Sequence, residues 1–433
     1  MDFLERVFKL DEFDTNVKTE MLAGLTTFMT MAYILAVNPA MLSETGMDIG
    51  AVFTATALAS FIGTMVMAFH ANLPFALAPG MGLNAFFVYT VVFQMGYSWQ
   101  FALTAVLLEG IIFILLTLFN VREAIINSIP ENVKKAISVG IGLFIAFIGF
   151  TNAGIIVQGE GVPLMLGDLT SSNAIVAIFG LLLMAVLLSK NIKGALFFGI
   201  VGATILAIPL GITSIPALDT FTGVPSLKPI MFQFRFDQIL TVDMVIVLFT
   251  FLFVDMFDTV GTLIGVSEKA GMMTADGKIP RVKQALMADA VGTTFGAMLG
   301  TSTVTTYVES ASGVAEGGRT GLTAFTTGIL FFLALFLAPL FLMVPGAATA
   351  PALIIVGLFM MSPIKKIDFT DYTEAVPAFL TIIIMPLAYA ISEGIIFGIL
   401  SYVLLKIFSG RYKEVPKLSY VLALLFIIKI IFV

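Results

Sequence analysis

Long apolar runs separated by short polar breaks make up almost the whole chain. Reading each run of about 20 mainly apolar residues as a membrane crossing gives fourteen spans, near 21–37, 51–69, 73–94, 101–119, 134–156, 173–188, 194–212, 241–266, 284–300, 302–316, 320–343, 347–361, 375–391 and 393–408. A sixteen-residue apolar tail, LSYVLALLFIIKIIFV, starts at Leu418. It is short for a span and carries Lys429, so the pattern leaves its topology open. Ahead of the first span lies the charged segment MDFLERVFKLDEFDTNVKTE, in which Phe3, Leu4, Val7 and Phe8 line one helical stripe. That stripe predicts an interfacial helix.

The same pattern repeats within the chain. FIGTMVMA (61–68) matches AVGTTFGA (290–297), IPENVKKAISVGIGLFI (129–145) resembles VPGAATAPALIIVGLFM (344–360), and KGALFFGIVGATILAI (193–208) resembles EGIIFGILSYVLLKI (393–407). Seven spans followed by seven similar ones place the second copy upside down, because an odd number of crossings reverses direction. The expected architecture is therefore an all-α polytopic membrane protein with a 7+7 inverted repeat, a plan used by transporters with a central site.

Two segments read poorly as helices and occupy equivalent places in the two halves. The third span opens with NLPFALAPGMGLNAFF (72–87), which contains Pro74, Pro79, Gly80 and Gly82. Its partner, GTSTVTTYVESASG (300–313), is rich in β-branched residues that favour extended backbone. Irregular backbone at membrane depth survives only when buried in protein or lining a wet cavity, and such interrupted segments in both halves mark a transporter's binding site. Sliding one segment onto the other places Glu309 opposite Asn84. The span just before the second broken segment contains FVDMFDTVGT, whose Asp255 and Asp258 share a helical face. Each acid costs about 2.5–3.5 kcal/mol at the centre of a membrane helix on insertion scales, so these residues demand partners or a ligand. Asp258, Glu309 and Asn84 together offer carboxylate acceptors and an amide that both donates and accepts, which suits a small planar ligand with several N–H groups. Asp255 reads equally well as a structural acid and Asp289 as a packing or gating contact. His70 is assigned to structure, and Glu109, Glu374 and Glu393 to span ends or helix pairing.

Composition agrees with a membrane protein and narrows its chemistry. The 433 residues are 59% hydrophobic and 12% charged, with a mean hydropathy of +1.06, against roughly 25% charge in soluble domains. With no Cys and one His, disulfides, thiol catalysis and His-cluster metal sites are excluded, and a membrane enzyme has little raw material. No cofactor is expected. The net charge of −6 argues against nucleic acid as a partner. There is no P-loop, so ATP does not drive the protein directly, and the glycines of VGIGLFIAFIG read as helix packing. Basic residues mark one side of the membrane. Arg122, Lys134, Lys135, Lys190, Lys193, Lys269, Lys278, Arg281, Lys283, Arg319, Lys365 and Lys366 follow even-numbered spans, with Lys228 and Arg235 as exceptions. Both ends of the fourteen-span body are therefore expected in the cytoplasm, in a plasma (cytoplasmic) membrane.

ERVFKLDEFDTNVKTEMLAGLTTFMTMAYILAVNPAML, FVDMFDTVGTLIGV, ADAVGTTFGAMLGTSTVTTYVESASGVAEGGRTGLTA and GIIFGILSYVLLK together resemble the azaguanine-type purine permeases of the nucleobase–ascorbate transporter superfamily. The resemblance runs from the N-terminus to about residue 415. It implies import of a purine nucleobase (hypoxanthine or guanine, with adenine a further candidate) and selects Asp258 over Asp255 as the direct ligand, beside Glu309. Tyr307 and the Val308 backbone N–H fall at neighbouring contacts. It also implies short antiparallel strands in spans three and ten. Residues 1–132 and 241–345 would form a core, residues 133–240 and 346–433 a gate, and two copies would pair through the gate as a homodimer. Thr262 stands where the related uracil permease has a His, so coupling schemes that use that His do not carry over.

Two carboxylates facing one small desolvated cavity do not both stay ionised at neutral pH. The expected coupling is purine/proton symport, with Glu309 the proton carrier, Asp258 the fixed acceptor, and sodium the alternative ion. The rival reading is a sulfate-permease-type anion transporter, which would want neutral or basic residues at the broken segments.

Overall fold

A computed structural model describes residues 2–119, 131–159, 161–217, 221, 223–269, 272, 279 and 281–432. Arg122 and Lys278 lie outside the described residues. Among the described residues, nine helices are long and apolar enough to cross a membrane: Val17–Ser43, Ile49–Ala71, Trp99–Leu118, Glu131–Asn152, Ser172–Ser189, Val242–Leu263, Gly321–Leu342, Gly346–Lys366 and Ile391–Phe408. Shorter apolar helices cover Met81–Gln94, Ala195–Ala207 and Tyr372–Leu387, and an 18-residue helix covers Val282–Leu299. The polar breaks do structural work at the helix starts. The side chains of Asn16, Asp48, Ser98, Ser171 and Asp371 each accept a hydrogen bond from a backbone N–H in the first turn of the following helix. Glu20 does the same from a distance. Fully buried, it accepts from the backbone N–H groups of Arg319, Thr320 and Thr323 at 2.9, 3.2 and 3.2 Å, where Gly321–Ala334 begins.

Two groups of helices pack mainly among themselves. One contains Val17–Ser43, Ile49–Ala71, Trp99–Leu118, Val282–Leu299 and Gly321–Leu342, with Val242–Lys269 against Trp99–Leu118. The other contains Glu131–Asn152, Ser172–Ser189, Ala195–Ala207, Gly346–Met360, Tyr372–Leu387 and Ile391–Phe408. In this second group Lys406, only 1% exposed, meets Glu374 at 2.9 Å and Glu414 at 2.8 Å, and Arg411 bridges Asp371 and Glu414. Hydrogen bonds from Arg411 hold the carboxyls of Asp371 and Glu414 down at about 2.

The N-terminal helix Asp2–Phe8 differs in one respect from a helix lying on lipid alone. Phe8 and Leu10 are 1% exposed and pack with Ala68, Leu322 and Ala324, while Val7 stays exposed. Part of the apolar stripe therefore faces protein. The apolar tail forms the helix Lys417–Phe432 against Ile391–Phe408, where Phe426 meets Phe249 edge-on at 5.9 Å.

The two interrupted segments meet in the middle of the first group. Leu77–Pro79 and Val304–Thr306 form a two-stranded antiparallel ladder in which Leu77 faces Thr306, Ala78 faces Thr305 and Pro79 faces Val304. Flanking backbone bonds extend it: Gly80 N–H donates to Thr303 O at 2.9 Å, and Tyr307 N–H donates to Ala76 O at 3.0 Å. Each strand then turns into a helix, Met81–Ala85 continuing to Gln94 on one side and Ser310–Ala315 on the other.

Candidate functional site

Each strand is clamped by a threonine from the preceding helix, and the two clamps match. Thr64 Oγ1 takes the Leu77 N–H at 3.0 Å and donates to the Leu77 carbonyl at 3.2 Å. Thr293 Oγ1 takes the Val304 N–H at 3.2 Å and donates to the Val304 carbonyl at 2.9 Å. The residue before each threonine is glycine, and the close approach requires it. A Cβ on Gly292 would lie 2.9 Å from Val304 Cγ1 and 3.3 Å from the Gly63 Cα. These bonds equate Leu77 with Val304, and hence Glu309 with Gly82, where sliding the sequences had set Glu309 opposite Asn84. The difference is two residues of connector: Thr64 precedes Leu77 by 13 positions, whereas Thr293 precedes Val304 by 11.

The acids divide into an open pair and a buried set. Asp258 and Glu309 are partly exposed, whereas Asp255, Asp289 and Glu109 are fully covered. Asp258 stands within electrostatic reach of Asp289 and of Glu309, and both Asp258 and Glu309 are within reach of Tyr33 and Tyr307. Tyr33 donates its phenol proton to Glu309 Oε1 at 2.9 Å. The Tyr307 hydroxyl donates to the Pro79 carbonyl and ties the two crossing segments together. Val308, between Tyr307 and Glu309, is 49% exposed. On the helix carrying Asp258, Gly261 is exposed and a Cβ there would meet nothing. The two acids are thus partly exposed, with two phenols beside them. Gly82, after the first strand, packs against the second helix group, where a Cβ would come within 2.8 Å of Ile141, and Val242–Lys269, which carries Asp258, also contacts Glu131–Asn152, so the site lies at the border of the two groups.

Behind the second strand the buried acids serve one another's placement. The Thr259 hydroxyl lies 2.8 Å from Asp289 Oδ1, 3.3 Å from Asp255 Oδ1 and 2.7 Å from Thr305 Oγ1. Asp255 therefore points to the back of the strand while Asp258, three residues on, is partly exposed. Thr262 is partly exposed one turn beyond Asp258. Asn84 is completely buried; its Oδ1 accepts from Ser302 and its Nδ2 lies 3.9 Å from Met81 Sδ. The structure thus brings Asp258, Glu309 and Tyr307 together, and ties Asn84 to Ser302, beyond the Pro79–Val304 end of the ladder.

Several participants escaped the reading of the sequence. The sequence assigns Glu109 to a span end or to helix pairing; it lies in the middle of Trp99–Leu118, fully buried, and accepts from the Thr303 hydroxyl. The cost of a mid-helix acid in a membrane was the available signal. Tyr33, in MAYILAVNP, gave none, because a tyrosine in an apolar run reads as packing. Among the described residues no group of three or more His, Cys, Asp or Glu side chains is arranged to hold a metal ion.

Long apolar helices packed around two short paired strands define a polytopic membrane protein. The chain belongs to the Permease family, whose model (Xan_ur_permease) matches residues 18–397. It is 49% identical over 432 residues to a putative permease of Methanocaldococcus jannaschii, covering 100% of this chain and 99% of that one. It is 45% identical to the adenine permease AdeP of Escherichia coli, covering 99% and 96%. It is 44% identical to the guanine/hypoxanthine permease PbuG of Bacillus subtilis, covering 99% and 100%. In fold it is similar to the transmembrane domain of the cyanobacterial bicarbonate transporter BicA, with a TM-score of 0.66 at 15% identity over 88% of this chain and 97% of that one.

Proposed function

We propose that the chain is a secondary active transporter that imports purine nucleobases, hypoxanthine and guanine first and adenine as the further candidate, by proton symport. The observation that carries this reading is the pair Asp258 and Glu309, partly exposed at the crossing of two unwound segments, in a chain 43–45% identical over nearly its full length to relatives named as adenine and as guanine/hypoxanthine permeases. Carboxylates accept N–H groups and repel anions, so the site suits a neutral nucleobase. Such a cargo brings no charge for a membrane potential to act on, and a proton on one acid supplies it. Glu309 is the proton carrier and Asp258 the fixed acceptor in this scheme. A protonated acid also crosses the low-dielectric core at less cost.

The matching glycine–threonine pairs, Gly63–Thr64 and Gly292–Thr293, support a fourteen-span body folded as a 7+7 inverted repeat. In the proposed motion residues 1–132 and 241–345 move as a core against a gate of residues 133–240 and 346–433, an elevator in which the site travels with its strands. Two copies pair through the gate, and both ends of the body are cytoplasmic. The test is uptake into proteoliposomes. An inward proton gradient without sodium is expected to accumulate labelled hypoxanthine, and Glu309→Gln to bind or exchange it without concentrating it. Accumulation that follows a sodium gradient and ignores pH would refute the coupling.

A further inference from the structure

The Glu309 carboxylate is not symmetric, and the asymmetry bears on which purine edge it can accept. Tyr33 comes from the first membrane helix, is 2% exposed, and holds Glu309 Oε1 at 2.9 Å. Thr30 Oγ1 lies 3.5 Å from the Glu309 carbonyl, so residue and side chain are both fixed to that helix. A carboxylate has about four lone-pair sites, so capacity for a ligand remains. Receiving two parallel N–H donors, however, requires both oxygens to turn one edge toward the ligand, as in the two-pronged pairing with a guanidinium.

Between guanine and hypoxanthine that geometry matters for one substituent. A 2-amino group next to N1–H gives guanine two adjacent parallel donors, whereas hypoxanthine has N1–H beside an apolar C2–H. We infer that Tyr33 is a specificity-determining residue. By taking one lone pair of Oε1 it weakens that oxygen as a second acceptor of the ionised Glu309, so the site gains little from a 2-amino group and admits purines with and without it. Tyr33 acts through Glu309, as a positioning residue. The inference rests on the purine-permease reading and refines it.

The experiment is equilibrium displacement of labelled hypoxanthine by guanine on the purified full-length protein. In the wild type, guanine is expected to bind no tighter than hypoxanthine to within about threefold. Tyr33→Phe removes only the hydroxyl and frees Oε1 for a second ligand donor. The guanine-to-hypoxanthine affinity ratio is then expected to rise roughly tenfold, the size of one hydrogen bond to a charged group. Combining it with Glu309→Gln, whose amide cannot accept two donors, is expected to abolish the rise. A purely structural tyrosine would weaken both ligands equally and leave the ratio unmoved in both variants. A wild type that already prefers guanine tenfold, or a hypoxanthine-binding Tyr33→Phe protein with an unchanged ratio, overturns the inference. A wild type that prefers guanine tenfold overturns it even if the variant does not fold. Failure of the wild type to bind either purine overturns the purine reading itself, and the inference falls with it.

Discussion

Asp255 and Asp258 sit three residues apart on one helix, and their surroundings give them different work. Asp255 is fully covered and reached by the Thr259 hydroxyl behind the strand, while Asp258 is partly exposed and stands in the field of Glu309. Removing an acceptor that meets ligand N–H groups leaves those donors unpaired, so Asp258→Ala and Glu309→Ala are each expected to weaken hypoxanthine binding by about 2–5 kcal/mol. Asp255→Asn keeps the shape and one acceptor oxygen, and a milder loss is expected. Direct binding measurements on the three variants check this ordering, and wild-type affinity in either alanine variant would remove that residue from the site. The acids were legible in the sequence because a charged side chain deep in an apolar run has few reasons to be there. Their partners were less so. A tyrosine in such a run looks like ordinary packing, and Tyr33 became visible only when its hydroxyl was seen on Glu309.

The element that makes the site possible is the crossing of two short strands inside a helical bundle. Its sequence signature was the loss of helical character around Pro74–Gly82 and in the threonine-rich run after Gly300. Register is a subtler matter. A connector longer by two residues in the first half shifts Glu309 from Asn84 to Gly82, and no local pattern announces a loop of different length between matched helices. The crossing depends on Gly63 and Gly292 letting two helices and both strands approach. Adding a methyl at Gly292 places carbon 2.9 Å from Val304 Cγ1, an overpacking that costs about 1–3 kcal/mol. Gly292→Ala is therefore expected to lower the thermal unfolding midpoint of the detergent-solubilised protein and to weaken hypoxanthine binding together with it. An unchanged midpoint and unchanged affinity would mean that the crossing tolerates looser packing than described.

At the scale of the whole molecule, hydropathy reads the membrane class directly, because the bilayer demands long apolar segments and leaves little room for other solutions. Nine helices among the described residues meet that demand by length and composition. Short or broken segments do not, since unwound backbone sheltered by protein escapes the length rule. The proposed orientation rests on the basic breaks, and the chain's lack of cysteine makes it testable on a clean background. Cysteine introduced at Ser98 or Gly161 is expected to react with an impermeant reagent on intact cells, and cysteine at Gly277, which lies outside the described residues, only after permeabilisation; the reverse pattern would overturn the orientation. The fold itself does not choose the cargo, for it is similar to that of a bicarbonate transporter, and in the proposed reading the choice falls to Asp258 and Glu309. The most direct test of that claim is displacement of labelled hypoxanthine from purified protein by unlabelled adenine, guanine, uracil, bicarbonate and sulfate. The purines are expected to displace it and the two anions to leave it bound at any concentration that does not unfold the protein, whereas displacement by bicarbonate or sulfate with purines inert would contradict the account.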